Sequence, residues 1–102
     1  MVFFDLPVDT LKDKQNYRKF RKYLVRNGFV MAQYSVYSKF VLNDGQAKSI
    51  KEALRRNLPP KGNVQLMQVT ERQFSGTEYL VGERQTKVLD SNERWVLIDD
   101  SI

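Results

Sequence analysis

Residues 29–42 read FVMAQYSVYSKFVL, and this stretch decides the fold. It is rich in β-branched and aromatic residues, which favour strands over helices. The stretch is about twice as long as an ordinary strand, which averages about six residues. We therefore predict two strands, joined by a kink or tight turn near residues 33–35.

A short strand is predicted before this stretch, at the start of the chain. Residues 2–4 (VFF) form an apolar run that ends at Asp5. Pro7 has no N–H to donate and biases Leu6 away from the helical region. We expect the first strand to stop near Leu6.

A helix is predicted between that strand and residues 29–42. Asp9 or Thr10 is a suitable N-cap, and Thr10 with Asp13 resembles a capping box in which Asp replaces Glu. The helix should run to about Asn27, because Gly28 suits the residue after a helix, where a positive φ is often required. The apolar stripe at helical spacing consists of Tyr17, Phe20 and Leu24.

A second helix and a further strand are predicted after it. Residues 43–45 (NDG) form either a turn or a helix cap, and residues 59–60 (PP) end the helix. Its apolar positions are Ala47, Ile50, Leu54 and Leu58. Residues 63–69 alternate polar and apolar, which is typical of a half-buried strand. Residues 71–76 should form a turn or a short helix.

The predicted order is β-α-β-β-α-β followed by a β-rich tail. This order predicts an α+β fold, a ferredoxin-like sandwich with a four-stranded antiparallel sheet and two helices on one face. We assign residues 1–80 to this domain and residues 81–102 to an extra C-terminal β segment. Apolar runs at residues 79–81 and 95–98 flank the polar residues 83–93. They could extend the sheet of the same chain or of a partner chain.

Two residue types are missing, and their absence excludes several classes of chemistry. The 102 residues, enough for one domain, contain no Cys and no His. Disulfides, thiolate nucleophiles, Cys-based zinc sites and Ser-His-Asp catalysis are therefore excluded. A bound metal would be a hard cation held by oxygen atoms, Mg²⁺ or Mn²⁺.

From the sequence we expect neither a membrane span nor a signal peptide. No apolar run approaches the roughly 20 residues of a membrane span. The start of the chain lacks the basic region of a signal peptide and reaches Asp5 almost at once. We expect a cytoplasmic protein.

The first predicted helix carries an unusual concentration of positive charge. Its basic residues are Lys12, Lys14, Arg18, Lys19, Arg21, Lys22 and Arg26, and only Asp13 opposes them. Like charges four residues apart cost a few tenths of a kcal/mol per pair. A solvated helix face is the alternative, since charge runs are usually just that. We predict a face that binds nucleic-acid phosphates through Lys14, Arg18, Arg21, Lys22 and Arg26.

The aromatic residues of the 29–42 stretch have two interpretations. They could stack on bases, as aromatic residues do in an RNA-recognition sheet. Alternating aromatic residues in strands are more often packed in a core, and the RNA-recognition octapeptide is absent. Packing is therefore the preferred interpretation.

Asp5 is the candidate chemical residue. It lies at the carboxyl end of the first strand, just before the basic helix. A carboxylate there can hold Mg²⁺ beside a phosphodiester. A turn or capping role explains Asp5 equally well. One Asp per chain is a sparse metal site, but two chains related by a two-fold axis would offer two.

Several motifs resemble one known family. Residues 2–8 (VFFDLPV) and 17–24 (YRKFRKYL) resemble the small CRISPR-associated endonuclease of the spacer-acquisition machinery, the second Cas protein. Residues 28–31 (GFVM) and 33–37 (QYSVY) are similar to its second and third strands. Residues 69–74 (VTERQF) are similar to the version found in type II systems. The resemblance extends over most of the chain.

The resemblance implies a ferredoxin-like homodimer in which the C-terminal strand packs against the partner's sheet. It implies a Mg²⁺-dependent endonuclease, with Mn²⁺ as the alternative cation and Asp5 as catalytic residue and metal ligand. It also implies a complex with the CRISPR integrase, the first Cas protein. In that complex the dimer bridges two integrase dimers and holds the duplex DNA of the protospacer.

Two functions from different classes follow from these expectations. One is hydrolysis of phosphodiesters at paired Asp5 residues, and the other is a scaffold that holds DNA for the integrase. Without His, the enzyme has no obvious general base beyond metal-bound hydroxide, which favours the scaffold as the main role. A ribonuclease toxin or a module for single-stranded RNA on the same fold is the remaining alternative.

Overall fold

The computed structural model describes residues 1–83 and the two strands Lys87–Leu89 and Trp95–Leu97. The elements alternate in the predicted order through the fourth strand. They are β1 (Val2–Asp5), α1 (Leu11–Arg26), β2 (Val30–Gln33), β3 (Val36–Ser38), α2 (Asp44–Arg55), β4 (Asn63–Leu66), α3 (Glu71–Ser75), β5 (Lys87–Leu89) and β6 (Trp95–Leu97).

The first four strands form one antiparallel sheet with the order β2-β3-β1-β4. β1 is therefore central, with β3 on one side and β4 on the other. This arrangement confirms the predicted α+β, ferredoxin-like fold. The chain divides into two compact units, Met1–Gln68 and Val69–Ile102. The second unit contains α3 and the antiparallel pair β5-β6.

The ends of α1 are those that the sequence predicts. Thr10 is the N-cap, its hydroxyl accepts the N–H of Asp13 at 3.0 Å, and the Asp13 carboxylate accepts the N–H of Thr10 at 3.3 Å. The C-cap is Asn27, and Gly28 follows it with a φ of 85°. The predicted capping box and terminal glycine are both confirmed.

Residues 29–42 also form two strands, as predicted: β2 and β3, which are joined at Tyr34 and Ser35. Ser35 has a φ of 59°, the left-handed conformation that L-residues other than glycine seldom adopt. The Ser35 carbonyl accepts the N–H of Phe4 at 3.0 Å. This hydrogen bond ties the turn to the central strand.

The core lies on one face of the sheet and fixes β1 against both long helices. Its buried members are Val2, Phe4, Leu6, Phe20, Leu24, Phe29, Tyr37 and Leu54. The Phe4 ring centroid lies 5.2 Å from that of Phe20, 5.7 Å from Tyr37 and 5.9 Å from Tyr17. Aromatic pairs at such distances add about 0.5–1.5 kcal/mol each beyond burial. No helix among the described residues is long and apolar enough to cross a membrane.

The second helix ends earlier than its apolar spacing indicates. It stops at Arg55, so the prediction that Leu58 belongs to it is wrong, and Leu58 is about half exposed. The Asn57 side-chain amide donates to the Ala53 carbonyl at 2.8 Å and covers the helix end. Pro59 also disfavours a helical conformation of Leu58.

The first strand of the tail does not lie where the apolar run indicates. Residues 79–81 form no strand, and the Leu80 and Val81 side chains are 90% and 92% exposed. β5 instead lies within the polar stretch 83–93 and pairs with β6, which covers most of the second predicted run. Ile98 lies outside the described residues. Packing of the tail on a partner's sheet stays a prediction.

Candidate nucleic-acid interface

Asp5 is the last residue of β1, and several contacts fix its backbone. Phe4, directly before it, is held among the three aromatic rings of the core. Asp5 itself pairs with Asn63 of β4. The position of the Asp5 backbone is thus set by the central strand of the sheet.

Two exposed side chains, Asn63 and Tyr34, lie at the same end of the sheet as Asp5. Asn63 is its partner on β4 and is exposed. On the other side, β1 and β3 pair with Phe3 opposite Val36, and the Phe4–Ser35 hydrogen bond extends this register. Tyr34 is the other residue of that turn, so it lies at the same end of the sheet as Asp5. Tyr34 is 69% exposed.

A glycine in front of β4 allows the chain to approach Asp5 closely. Gly62 has a φ of 95°, and a Cβ on it would lie 2.6 Å from the Asp5 carbonyl oxygen and 2.7 Å from a methyl of Leu6. Both distances are shorter than a van der Waals contact. Any residue other than glycine would therefore push the end of β1 away from β4.

We predict that Gly62→Ala lowers the free energy of unfolding by about 2–5 kcal/mol. Left-handed strain contributes about 1–2 kcal/mol and overpacking about 1–3 kcal/mol. Gly28→Ala is the matched control, because its φ of 85° is similar but its Cβ would meet only the flexible end of Lys39. Urea denaturation should give a larger loss for Gly62→Ala, and equal losses would contradict the close approach.

The Asp5 carboxylate has no structural role in the described part of the chain. Asp5 is exposed, and no hydrogen bond or ion pair of its side chain is formed with a described residue. Thr10 and Asp13 supply the cap of α1 instead. The turn or capping interpretation of Asp5 thus loses its support, while its role as a ligand stays a prediction.

A divalent cation at Asp5 would have few ligands from one chain. Among the described residues, no group of three Asp or Glu side chains could hold a metal ion. Mg²⁺ commonly keeps several waters and binds one or two carboxylates together with substrate phosphates. The exposed Asp5 carboxylate, with the Asn63 amide opposite it, fits that pattern. The carboxylate of a second chain would complete it.

All seven basic residues of α1 face solvent. The buried side chains of the helix are Asp13, Phe20 and Leu24, and the carboxylate of its single acid, Asp13, is used in the N-terminal cap. Every Lys and Arg of the helix is exposed, including the predicted phosphate ligands Lys14, Arg18, Arg21, Lys22 and Arg26. None of them forms an ion pair with the described residues. The outer face of α1 is therefore a cationic surface with which no described carboxylate forms an ion pair, and we call it the α1 basic face.

The basic residues of α2 are less available. Lys51 donates to the Gln68 side chain at 3.3 Å, and Gln68 donates to Asp44 at 3.4 Å. Lys48, Arg55 and Arg56 are exposed, with Glu52 on the same helix. On α2, unlike α1, one basic side chain has a described partner and an exposed acid lies among the basic residues.

Two residues near Asp5, Lys61 and Asn63, were not identified from the sequence as site residues, whereas Tyr34 belongs to the aromatic residues for which the sequence favours packing over base stacking. Lys61 lines a small hollow with Leu6, Pro7, Asp13 and Asn16, next to the end of β1. The only sequence signal for Lys61 and Asn63 is the PPKGN motif at residues 59–63, in which two prolines and a lysine precede a glycine. That motif marks a tight approach, but it does not say which strand is approached.

Comparisons with known proteins point to one family. Residues 1–77 match the family described as CRISPR associated protein Cas2. A CRISPR-associated endoribonuclease Cas2 from Treponema denticola is 47% identical over 98 residues, which cover 96% of this chain and 97% of that protein. Proteins of the same name from Streptococcus mutans and Ligilactobacillus salivarius are 44% identical over 101 residues and 40% identical over 98 residues. They cover 99% and 96% of this chain, and 93% and 97% of their own lengths.

Proposed function

Because the chain belongs to the CRISPR associated protein Cas2 family, we propose that it is a nucleic-acid-binding subunit of CRISPR spacer acquisition. It forms a homodimer, holds duplex DNA of the protospacer on the α1 basic face and connects dimers of the CRISPR integrase. It acts in the cytoplasm as part of antiviral defence.

The α1 basic face carries this proposal. Seven exposed cations on one 16-residue helix repel one another, and no described carboxylate neutralises them. A helix selected only for solubility would alternate the signs of its charges. Rows of phosphates on a duplex relieve the repulsion, and such contacts bind the backbone without reading base sequence.

The sheet supports the homodimer. The core side chains of α1 and α2 join Val2, Phe4 and Tyr37, so both helices pack on one face. Phe3 and its partner Val36 alternate with these residues and lie on the other face, where neither helix packs. Apolar side chains on that face suit the sheet of a second copy. Dimerisation would also bring two Asp5 carboxylates into one assembly.

A second activity, metal-dependent phosphodiester hydrolysis at Asp5, is favoured by a separate observation. Asp5 is exposed at a rigid strand end with no capping role, and the relatives are named endoribonucleases. Asp5 would hold the cation and orient it toward the phosphate. Mg²⁺, or Mn²⁺ in its place, supplies a bound water of lowered pKa and neutralises phosphate charge when it is present. We propose RNA as the substrate of this activity.

One experiment tests both activities of the wild-type chain. Labelled duplex DNA and single-stranded RNA are incubated with it in Mg²⁺ or in EDTA, and binding and cleavage are measured together. We expect duplex binding in both conditions and RNA cleavage only in Mg²⁺. Sedimentation equilibrium on the same preparation should give the mass of two chains.

The outcomes separate the proposal from its alternative. If the chain binds duplex DNA neither in Mg²⁺ nor in EDTA, its proposed role as a subunit of spacer acquisition is rejected. If the chain binds single-stranded RNA but not duplex DNA, the result would instead support a ribonuclease toxin or an RNA-binding module. Cleavage that persists in EDTA would reject metal dependence and leave duplex binding untouched.

A further inference from the structure

Packing accounts for only part of the aromatic side chains of residues 29–42. Phe29 and Tyr37 are buried, with 7% and 2% of their surface exposed. Tyr34 and Phe40 are 69% and 70% exposed. The core interpretation of these aromatic residues therefore holds for the first pair and leaves the second pair unexplained.

The two exposed rings lie at opposite ends of β3. Tyr34 precedes the end of β3 that pairs with the Asp5 end of β1, and the Phe4–Ser35 hydrogen bond brings the turn against β1. Phe40 lies two residues beyond the other end of β3, where Tyr37 pairs with Val2. Of these two rings, only Tyr34 therefore lies at the Asp5 end of the sheet.

The turn that carries Tyr34 is held in a defined conformation. Ser35 adopts a φ of 59° and its carbonyl is bound by Phe4, whose ring is fixed in the core. A non-glycine residue in this conformation costs roughly 1–2 kcal/mol, so the surrounding contacts impose it. A ring on a preorganised turn loses little entropy when it binds a ligand.

We propose that Tyr34 is a stacking platform for one unpaired base of the nucleic-acid strand whose phosphate lies at Asp5. This inference rests on the proposed nuclease site. An aromatic ring stacks on any base, and the base must be unpaired to present its face. Tyr34 then positions the strand at Asp5, while the α1 basic face supplies charge attraction that is indifferent to base pairing.

The test measures affinity for a short single-stranded RNA in EDTA, so that binding is read without cleavage. We expect Tyr34→Ala to weaken this binding by about tenfold and Tyr34→Phe to leave it unchanged, because the ring does the stacking. Phe40→Ala is the matched control, since it removes an equally exposed ring from the far end of β3. It should bind RNA as the wild-type chain does.

A second probe localises the effect to a base. A set of RNAs, each with one abasic nucleotide, is bound to the wild-type chain and to Tyr34→Ala. At one position the missing base should weaken wild-type binding about tenfold and leave Tyr34→Ala unaffected, since the stacking partner is already absent. Binding of blunt duplex DNA should be the same for both chains.

Several results would overturn the stacking platform. They are unchanged RNA affinity of Tyr34→Ala, an equal loss for Phe40→Ala, an equal loss of duplex binding, or dissociation of the Tyr34→Ala dimer in sedimentation. The last would assign Tyr34 to a protein interface instead. None of these results would bear on whether the wild-type chain cleaves RNA at Asp5. Loss of that cleavage activity would reject the nuclease and not the binding measured in EDTA.

Discussion

Replacing Asp5 by Asn should reduce Mg²⁺-dependent RNA cleavage by about a thousandfold or more. The substitution preserves the volume of the side chain and removes the negative charge that would hold the cation. Lewis-acid stabilisation of phosphoryl charge is worth several kcal/mol, and each 1.4 kcal/mol corresponds to a factor of ten in rate. Single-turnover cleavage of labelled RNA across a Mg²⁺ titration measures the loss and shows whether excess cation restores activity.

The fold should survive this substitution, which makes the result interpretable. The Asp5 side chain forms no hydrogen bond or ion pair with the described residues, so thermal unfolding of Asp5→Asn should match that of the wild-type chain. Asp9→Asn is the control, because it removes another exposed carboxylate, from the loop before α1. Wild-type cleavage by Asp5→Asn, or an equal loss in Asp9→Asn, would refute the ligand role.

Replacing Arg18 and Lys22 together by Ala should weaken duplex DNA binding by roughly ten- to a hundredfold at about 0.1 M salt. The two side chains lie four residues apart on the α1 basic face, and both are exposed. If each contacts one phosphate, the slope of log affinity against log salt should become shallower by about 2 for each chain. Fluorescence anisotropy at several salt concentrations gives both quantities.

A matched substitution on the other long helix separates charge position from charge total. Lys48→Ala with Arg55→Ala removes the same net charge from exposed positions on α2. We expect a smaller loss of affinity and a slope closer to that of the wild-type chain. An unchanged slope for the α1 variant, or equal effects of the two pairs, would remove the α1 basic face from the proposal. Alanine favours helix, so the α1 variant should not unfold.

The elements of the fold that follow from local chemistry were predictable. Thr10 and Asp13 define the start of α1 because capping depends on residues three positions apart. The division of residues 29–42 followed from the limited length of strands. Such signals lie within a few residues of one another, so a single sequence contains them completely.

Features that depend on distant partners were not predictable in the same way. Leu58 continues the apolar spacing of α2, yet Pro59 and the Asn57 side chain end the helix before it. β5 lies at Lys87–Leu89, where it pairs with β6, although residues 79–81 are more apolar. Strand formation depends on the pairing surface more than on intrinsic propensity.

The residues of the candidate site show the same difference between local signals and distant partners. The sequence identified Asp5 and the basic residues of α1, since each belongs to one continuous motif. Tyr34, Lys61 and Asn63 come near Asp5 only through the register of β1 with β3 and β4 and through the close approach at Gly62. No spacing within one segment of the chain contains that information.

The Phe4 ring has a geometric consequence for any strand that the protein binds. The ring contacts Phe20 of α1, and the next residue along β1 is Asp5. The helix proposed to bind phosphates and the candidate ligand are therefore packed together in one unit, which sets the separation between them. A nucleic acid that contacts both must present to Asp5 the nucleotide lying at a set distance from those on α1. The point of cleavage would then be measured along the strand from where the helix holds it, whatever the base sequence.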